Sequence, residues 1–230
     1  MGPTFYKIEL IGSGFLAVMA KPVPGEWIDD EFSGLRAVGL RQVVSLLENH
    51  EAYELGLAEE EQLCEKHGLT FISYPIPDRG LPLTVNGFKE LTKAIYHQSA
   101  GGDSTVVHCR AGIGRTGLVA AGVLLHAAFG AEEAFDHISK VRGVEVPDTE
   151  DQRNWLLTNY DEINLYGTDP LKKDTNDNGI DDNDEIDRGL NPTVLDTDGD
   201  GLNDNDEIYI HDTDPLNPDS DNDGLNDGQE

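Results

Sequence analysis

The 230-residue chain is short of positive charge: 16 Lys and Arg stand against 45 Asp and Glu, a formal net charge of −29. That surplus of carboxylates repels nucleic-acid phosphates and anionic membrane surfaces, and so argues against either as a main partner. Only two cysteines occur, Cys64 and Cys109. They are too few for a disulfide framework, and the expectation is a reducing cytoplasm. No run of eighteen apolar residues is present, so no segment reads as a membrane span. The opening MGPTFYKIEL lacks the basic cluster, apolar stretch and small-residue cleavage site of a secretory signal, which agrees with the cytoplasmic expectation. Large apolar side chains thin out after Gly167. From there to Glu230 twenty-one Asp or Glu face three Lys or Arg, a composition that cannot build an ordinary core.

The first 166 residues do have the means for one domain with a sizeable core. Short β-rich runs alternate with helical stretches, as in an α/β domain with a central, mostly parallel sheet flanked by helices. Strands are expected at Phe15–Met19, Gln42–Leu46, Phe71–Tyr74 and Thr105–His108. Helices are expected at Asp30–Val38, Ala58–Lys66, Val85–Gln98, Arg115–Phe129, Ala131–Val141 and Thr149–Leu165. The continuous apolar run before Cys109 marks a buried central strand. Two regions result: a globular domain over 1–166 and an acidic tail over 167–230.

In VVHCRAGIGRTG, Val106 to Gly117, a cysteine ends the apolar strand and an arginine follows six positions later at a helix start. This is the plan of a phosphate cradle. Gly112 and Gly114 permit a turn whose N–H groups face inward, and the helix adds the positive end of its dipole. The phosphate-binding residues are then Arg110, Ala111, Gly112, Ile113, Gly114 and Arg115. The planar fork of Arg115 can grip two phosphate oxygens at once. The same amides favour a thiolate at Cys109, aimed at phosphorus as the nucleophile. Thr116 can donate its hydroxyl to the departing sulfur. The alternative, a buried free cysteine beside an ordinary Gly-rich turn, requires H-C-x-x-G-x-G-R-S/T-G to have arisen by chance, a coincidence below about one in a million. A nucleotide-binding glycine loop lacks its G-x-x-x-x-G-K-S/T.

Breaking a phosphate ester also needs a proton donor and then a base for water. Asp78 is the candidate for both, in a Pro-flanked loop just after the Phe71–Tyr74 strand, where its end can approach the strand of Cys109. A turn-forming aspartate is the plain alternative, and Asp103 and Asp148 are rivals. His108 closes a buried strand and is expected to brace the loop. Cys64 reads as core.

HCRAGIGRTG resembles the signature of protein tyrosine phosphatases. Together with VVSLLENHEAYELGL and YPIPDRGLP, it is most similar to the dual-specificity branch, near the kinase-associated phosphatases. The resemblance covers Phe15 to Leu157. It implies a two-step reaction through a cysteinyl-phosphate that needs no cofactor, acting on a phosphoprotein substrate. It also implies a general acid where Asp78 stands, and a glutamine, Gln152, that orients the hydrolytic water. An Asn-Arg-Tyr tyrosine-recognition segment is not visible, which favours a shallower pocket open to phosphoserine and phosphothreonine as well as phosphotyrosine. Ala111 and Ile113 stand where phosphoinositide-cleaving relatives carry lysines, which disfavours lipid substrates.

The tail repeats a pattern at a period of 22 to 23 residues. Asp174 to Glu185, Asp196 to Glu207 and Asp219 to Glu230 each match D-x-D/N-x-D/N-G-x5-E, the spacing that offers calcium its oxygen ligands around a glycine turn. A disordered acidic tail is the alternative, but acidity alone does not place Gly179, Gly201 and Gly224 in register. The spacers are too short for the paired helices of an EF-hand. The arrangement is similar to thrombospondin type 3 repeats, in which calcium organises the chain. By that likeness the ligands are Asp174, Asn176, Asn178, Asp182 and Glu185, then Asp196, Asp198, Asp200, Asp204 and Glu207, then Asp219, Asp221, Asp223, Asp227 and Glu230. Calcium would be structural or regulatory, and a calcium-dependent protein partner for the tail is a further expectation. Two other readings compete with the enzyme: a catalytically weak phosphate-binding adaptor, and a calcium-responsive tether carrying the phosphatase.

Overall fold

In the computed structural model, residues 3–159 and 172–229 are described. They belong to two compact units, Met1–Thr158 and Asn159–Glu230. Tyr166, the expected boundary, lies outside the described residues, as do Met1 and Gly2.

The first unit is organised by a five-stranded sheet in the order β1-β2-β5-β3-β4. Its strands are β1 (Tyr6–Ile11), β2 (Gly14–Ala20), β3 (Leu40–Ser45), β4 (Thr70–Ser73) and β5 (Ser104–Cys109). β2, β5, β3 and β4 run parallel, and only β1 is antiparallel, folded back on β2. β5 is buried at all six positions, because both faces of a parallel sheet are covered by helices and its strand can be apolar throughout. On one face lie α1 (Ile28–Ala37) and α3 (Glu60–Lys66), which pack against β3 and β4. There Phe32, Leu35 and Cys64 meet Ala17, Met19, Val43 and Val106 in one buried cluster. The other face carries α4 (Val85–Ala100), α5 (Gly114–Leu125), α6 (Ala131–Arg142) and α7 (Glu150–Thr158). α5 is buried along its whole length, so it is the helix around which this layer is arranged.

Local signals account for several boundaries. Thr84 caps α4 by accepting from the Gly87 N–H at 3.0 Å, a bond worth about 1 kcal/mol. Gly143 ends α6 at φ +70°, a conformation that costs glycine nothing. All four expected strands are present, shifted by at most two residues. Two elements were not anticipated: the edge strand β1 and the short helix α2 (Asn49–Glu54). α5 stops at Leu125, four residues before the expected Phe129, and Ala128 turns at φ +65°. The expected helix Thr149–Leu165 is described only as α7, and its remainder from 160 onward lies outside the described residues.

Among its described residues, the second unit is a succession of loops and very short helices, Asp182–Arg188, Asp204–Asp206 continuing as one π-helical turn over Glu207–His211, and a 3-10 turn at Asp227–Gln229. Among those residues Ile180 and Leu190 are the buried aliphatic side chains. Among the described residues of the chain, no helix is long and apolar enough to cross a membrane.

Candidate active site

β5 sits between β2 and β3, with Ala20 opposite Cys109 and Ser45 opposite His108. The strand therefore delivers Cys109 to the C-terminal edge of a parallel sheet, where loops from several strands converge. Beyond Cys109 the chain folds back over the end of β2, and the Lys21 N–H donates to Arg110 O at 3.3 Å. Gly112 makes this possible: its φ is +69°, and a Cβ there would lie 2.3 Å from Met19 O. No other residue fits so close to a backbone. The Gly112 N–H donates to Cys109 Sγ at 3.3 Å. α5 begins at Gly114, and the positive end of its dipole faces the same loop.

A cleft of about 220 Å³ opens here, lined by Asp78, Arg79, Cys109, Arg110, Ala111, Gly114, Arg115 and Asp148. A larger, mostly apolar cleft of about 470 Å³ lies beside the end of β2, around Met19, Val23 and Trp27. It contains none of the candidate catalytic side chains, whereas Cys109, Arg115 and Asp78 all line the smaller one.

Arg115 is 2 % exposed and is held by a fork-to-fork pair with Glu51. Nη1 donates to Glu51 Oε2 at 2.6 Å and to Ile76 O at 2.9 Å, with a longer bond to Leu46 O at 3.3 Å. Nη2 donates to Glu51 Oε1 at 3.0 Å and to Asp78 Oδ1 at 3.1 Å. Burial alone would push the Glu51 carboxyl up, but the Arg115 bond and the Glu48 N–H outweigh it and hold Glu51 below the usual carboxylate range. Burial likewise opposes the charge on Arg115, and Glu51, Cys109 and Asp78 together raise its pKa beyond the ordinary guanidinium value. Glu51, on the unanticipated α2, was missed in the sequence, where it is one of many carboxylates in ENHEAYELGLAEEE. Two signals pointed to it: a buried arginine needs a buried counter-charge, and the segment after β3 reaches the same sheet edge.

Asp78 is where the sequence placed it, in the loop after β4, although β3 lies between β4 and β5. Its side chain is 55 % exposed, within reach of solvent and of Arg115 at once. Asp103 is excluded by topology, since it precedes β5 and so lies at the opposite edge of the sheet. Asp148 is retained, as it lines the cleft and sits over Gly114, where a Cβ would come 1.8 Å from its Oδ1. Gln152 is fully buried. Its Nε2 donates to Gly80 O at 2.9 Å, while Oε1 has no partner and lies 3.0 Å from the place of a Gly114 Cβ. The amide is thereby anchored to the Asp78 loop with an acceptor left over beside the cradle. Thr116 is buried with its hydroxyl unpartnered. His108 Nε2 lies 2.7 Å from Glu60 Oε1, both side chains buried, at ion-pair distance but outside hydrogen-bonding geometry. That places His108 behind the cradle. Cys64 is buried in α3, and burial together with Glu60 and Glu61 pushes its thiol up, which makes it unreactive.

Comparison with known proteins agrees with this geometry. A family described as "Polymorphic toxin system, DSP-PTPase phosphatase" matches residues 17–128. The chain is 26 % identical over 141 residues to cyclin-dependent kinase inhibitor 3 of Rattus norvegicus, and 25 % identical over 140 residues to that of Mus musculus. These matches take in 60 % of this chain and 66 % of each relative, just under two thirds of its length. By these matches the first unit is similar to the dual-specificity branch of the protein tyrosine phosphatase superfamily. Among solved structures, kinase associated phosphatase superposes with a TM-score of 0.64 at 22 % identity, over 70 % of this chain and 96 % of that one. Tk-PTP in its active form does so with 0.55 at 26 %, over 67 % and 94 %.

The acidic unit matches the bacterial thrombospondin type 3 repeat at residues 157–173, 196–218 and 219–230. Its three loops share one hydrogen-bonding scheme. The two carboxylate oxygens of the first Asp (Asp174, Asp196, Asp219) accept loop N–H groups, among them Gly179, Gly201 and Gly224 at 2.7, 3.0 and 3.0 Å. Those glycines adopt φ of +94°, +110° and +99°. In the second loop Asp196, Asp198 and Asp200 converge, and in the third Asp219, Asp221 and Asp223. In the first, Asn176 and Asn178 donate to Glu185 Oε1. Glu185 Oε2, Asp198 Oδ2, Glu207 Oε2 and Asp227 Oδ2 are buried with no partner. Buried, unpartnered carboxylate oxygens fit a hard cation with oxygen ligands. At the ninth position the loops differ: both oxygens of Asp182 and of Asp204 are taken by Thr175 and Thr197, whereas Asp227 keeps one oxygen free. Glu230 lies outside the described residues.

Proposed function

We propose that the chain is a cysteine-dependent phosphoprotein phosphatase, acting on phosphotyrosine and on phosphoserine or phosphothreonine, with a calcium-binding tail. The observation that carries this is the buried Arg115–Glu51 fork, which holds a guanidinium in the cleft of Cys109 and Asp78. A guanidinium so fixed has no purpose in a plain core, where a buried pair gains little over apolar packing. In a phosphate cradle it supplies a charge that needs no reorganisation as the reaction proceeds.

In the first step the Cys109 thiolate attacks phosphorus in line. The S–P bond forms, the ester P–O bond breaks, and Asp78 gives its proton to the departing alkoxide or phenoxide. In the second, Asp78 takes a proton from water as the water attacks phosphorus. The P–S bond breaks, inorganic phosphate leaves and the thiolate returns, with Thr116 donating its hydroxyl to the leaving sulfur. Gln152 Oε1, unpartnered beside Gly114, is suited to orient that water. The incoming phosphate competes with Asp78 for Nη2 of Arg115, so binding frees the acid at the moment it is required.

Hydrolysis of p-nitrophenyl phosphate by the full chain, abolished in Cys109→Ser, tests the activity. Absent turnover, with tight binding of phosphopeptides, would instead make the chain an adaptor. A phosphopeptide and phosphoinositide panel with and without chelator defines the substrate class. We place the reaction in a reducing, cytoplasmic setting, since Cys64 and Cys109 are both free thiols and the nucleophile is lost on oxidation. In the tail, the loop carboxylates would hold calcium and draw the repeats into one compact unit, and a protein partner recognising only that form follows as a proposal.

A further inference from the structure

We infer that the calcium of the second loop is shared between repeats, with Asp227 of the third loop completing the ligand set of Asp196, Asp198, Asp200 and Glu207. This rests on the reading of the tail as calcium-binding, and it reassigns Asp227 from its own loop to the preceding one.

Asp200, Glu207 and Asp227 each bring a carboxylate oxygen within 4.8 Å of the other two. Two oxygens on opposite sides of one calcium, each about 2.4 Å from it, stand about 4.8 Å apart. The spacing is therefore that of ligands around a single ion. The three side chains are at most 9 % exposed, and Glu207 Oε2 and Asp227 Oδ2 are fully buried without a hydrogen-bond partner. Buried carboxylates in mutual contact are costly unless a cation lies among them. Asp200 also belongs to the trio Asp196, Asp198 and Asp200, so the two groups share one carboxylate, as the ligands of one ion would.

The third repeat is shaped to reach this place. The Gly228 N–H donates to Asp200 Oδ2 at 2.9 Å, and a Cβ on Gly228 would lie 2.7 Å from Asp200 O. The terminal turn thus lies directly on the second loop, in a contact that only glycine allows. Asp227 keeps one oxygen for this ion, unlike Asp204 at the same position of the second repeat. In the second repeat Thr197 bonds both oxygens of Asp204 through its N–H and its hydroxyl. Its counterpart Ser220 bonds only Asp227 Oδ1, through its N–H, and the Ser220 hydroxyl accepts from the Asp214 N–H.

Calcium titration calorimetry of the chelator-stripped full chain separates the possibilities. Asp198→Asn should remove one ion from the measured stoichiometry or weaken it at least tenfold, and Asp227→Asn should act on that same ion. The double variant Asp198→Asn/Asp227→Asn should then lose no more ions than either single variant, whereas Asp198→Asn/Asp221→Asn should lose two. Gly228→Ala, which keeps every carboxylate but crowds the turn off the second loop, should reproduce the loss seen in Asp227→Asn. A two-ion loss in Asp198→Asn/Asp227→Asn, or an unaltered titration of Asp227→Asn, would overturn the shared site while leaving the tail a calcium binder. No heat and no bound calcium in the unaltered chain would overturn the calcium reading itself.

Discussion

Arg115 makes five hydrogen bonds to protein acceptors before any substrate arrives, and two of them go to Glu51. Neutralising Glu51 leaves a buried guanidinium with half of its counter-charge removed, and breaking a buried pair from one side costs about 3 kcal/mol. Glu51→Gln should therefore lower the unfolding free energy by about that amount in urea. It should also reduce kcat/KM for p-nitrophenyl phosphate by about tenfold or more, since the fork no longer fixes the phosphate ligand. An unchanged kcat/KM would mean that the pair is structural only. His126 gives a second prediction at this scale. Burial, with His97, Lys93 and Lys89 nearby, lowers its pKa from 6.5 to about 4, and Nε2 lies 3.1 Å from Thr92 Oγ1. Between pH 6.5 and 4 the unfolded chain binds a proton at this position that the folded chain refuses, so stability falls as pH falls through that window. In His126→Gln, the Tm measured from pH 7 to pH 4 should decline less steeply than in the unaltered chain. Equal slopes would remove His126 from the account.

At the scale of elements, the crossing of α5 over α4 depends on Gly122. A Cβ there would lie 2.5 Å from Cε1 and Cζ of Phe88 and 2.9 Å from Thr92 Cγ2, and Phe88 is fully buried with no room to move. Gly122→Ala should cost about 1–3 kcal/mol in thermal or urea unfolding, with kcat and KM unaltered at low temperature because the cradle lies two turns away. Gly130→Ala, which meets nothing within 4 Å, is the control expected to cost far less. What could be read from the chain divides along the same lines. The strand-turn-helix of Cys109 was legible because an apolar run, a glycine turn and an arginine are all set by local chemistry. The strands β2 to β5 were legible for the same reason. β1 is an edge strand with a broken burial pattern, and such strands carry little hydrophobic alternation. α2 has six residues and one buried side chain, Glu51, so neither periodicity nor hydrophobicity announces it. Both buried acids behind the site, Glu51 and Glu60, take their meaning from partners 64 and 48 positions away, a distance no local pattern spans.

For the molecule as a whole, net charge sets how substrates arrive. The chain carries −29 overall, whereas the cleft presents Arg79, Arg110 and Arg115. A phosphorylated peptide is therefore repelled at long range and attracted at short range. The Debye length is about 10 Å at 0.1 M salt and about 30 Å at 0.01 M, so added salt screens the repulsion first and leaves contacts inside the cleft nearly intact. For a phosphopeptide with acidic flanks, kcat/KM should rise between about 0.01 and 0.1 M salt, within the roughly tenfold or greater range of steering effects. For one flanked by lysines it should fall, and kcat should stay flat for both, because steering alters encounter and not the phosphoryl transfer. Three calcium ions would cancel six negative charges, so saturating calcium should shrink both salt slopes. Parallel salt dependence for the two peptides would show that encounter is governed by the arginines alone and that the acidic surplus plays no part in selecting substrates.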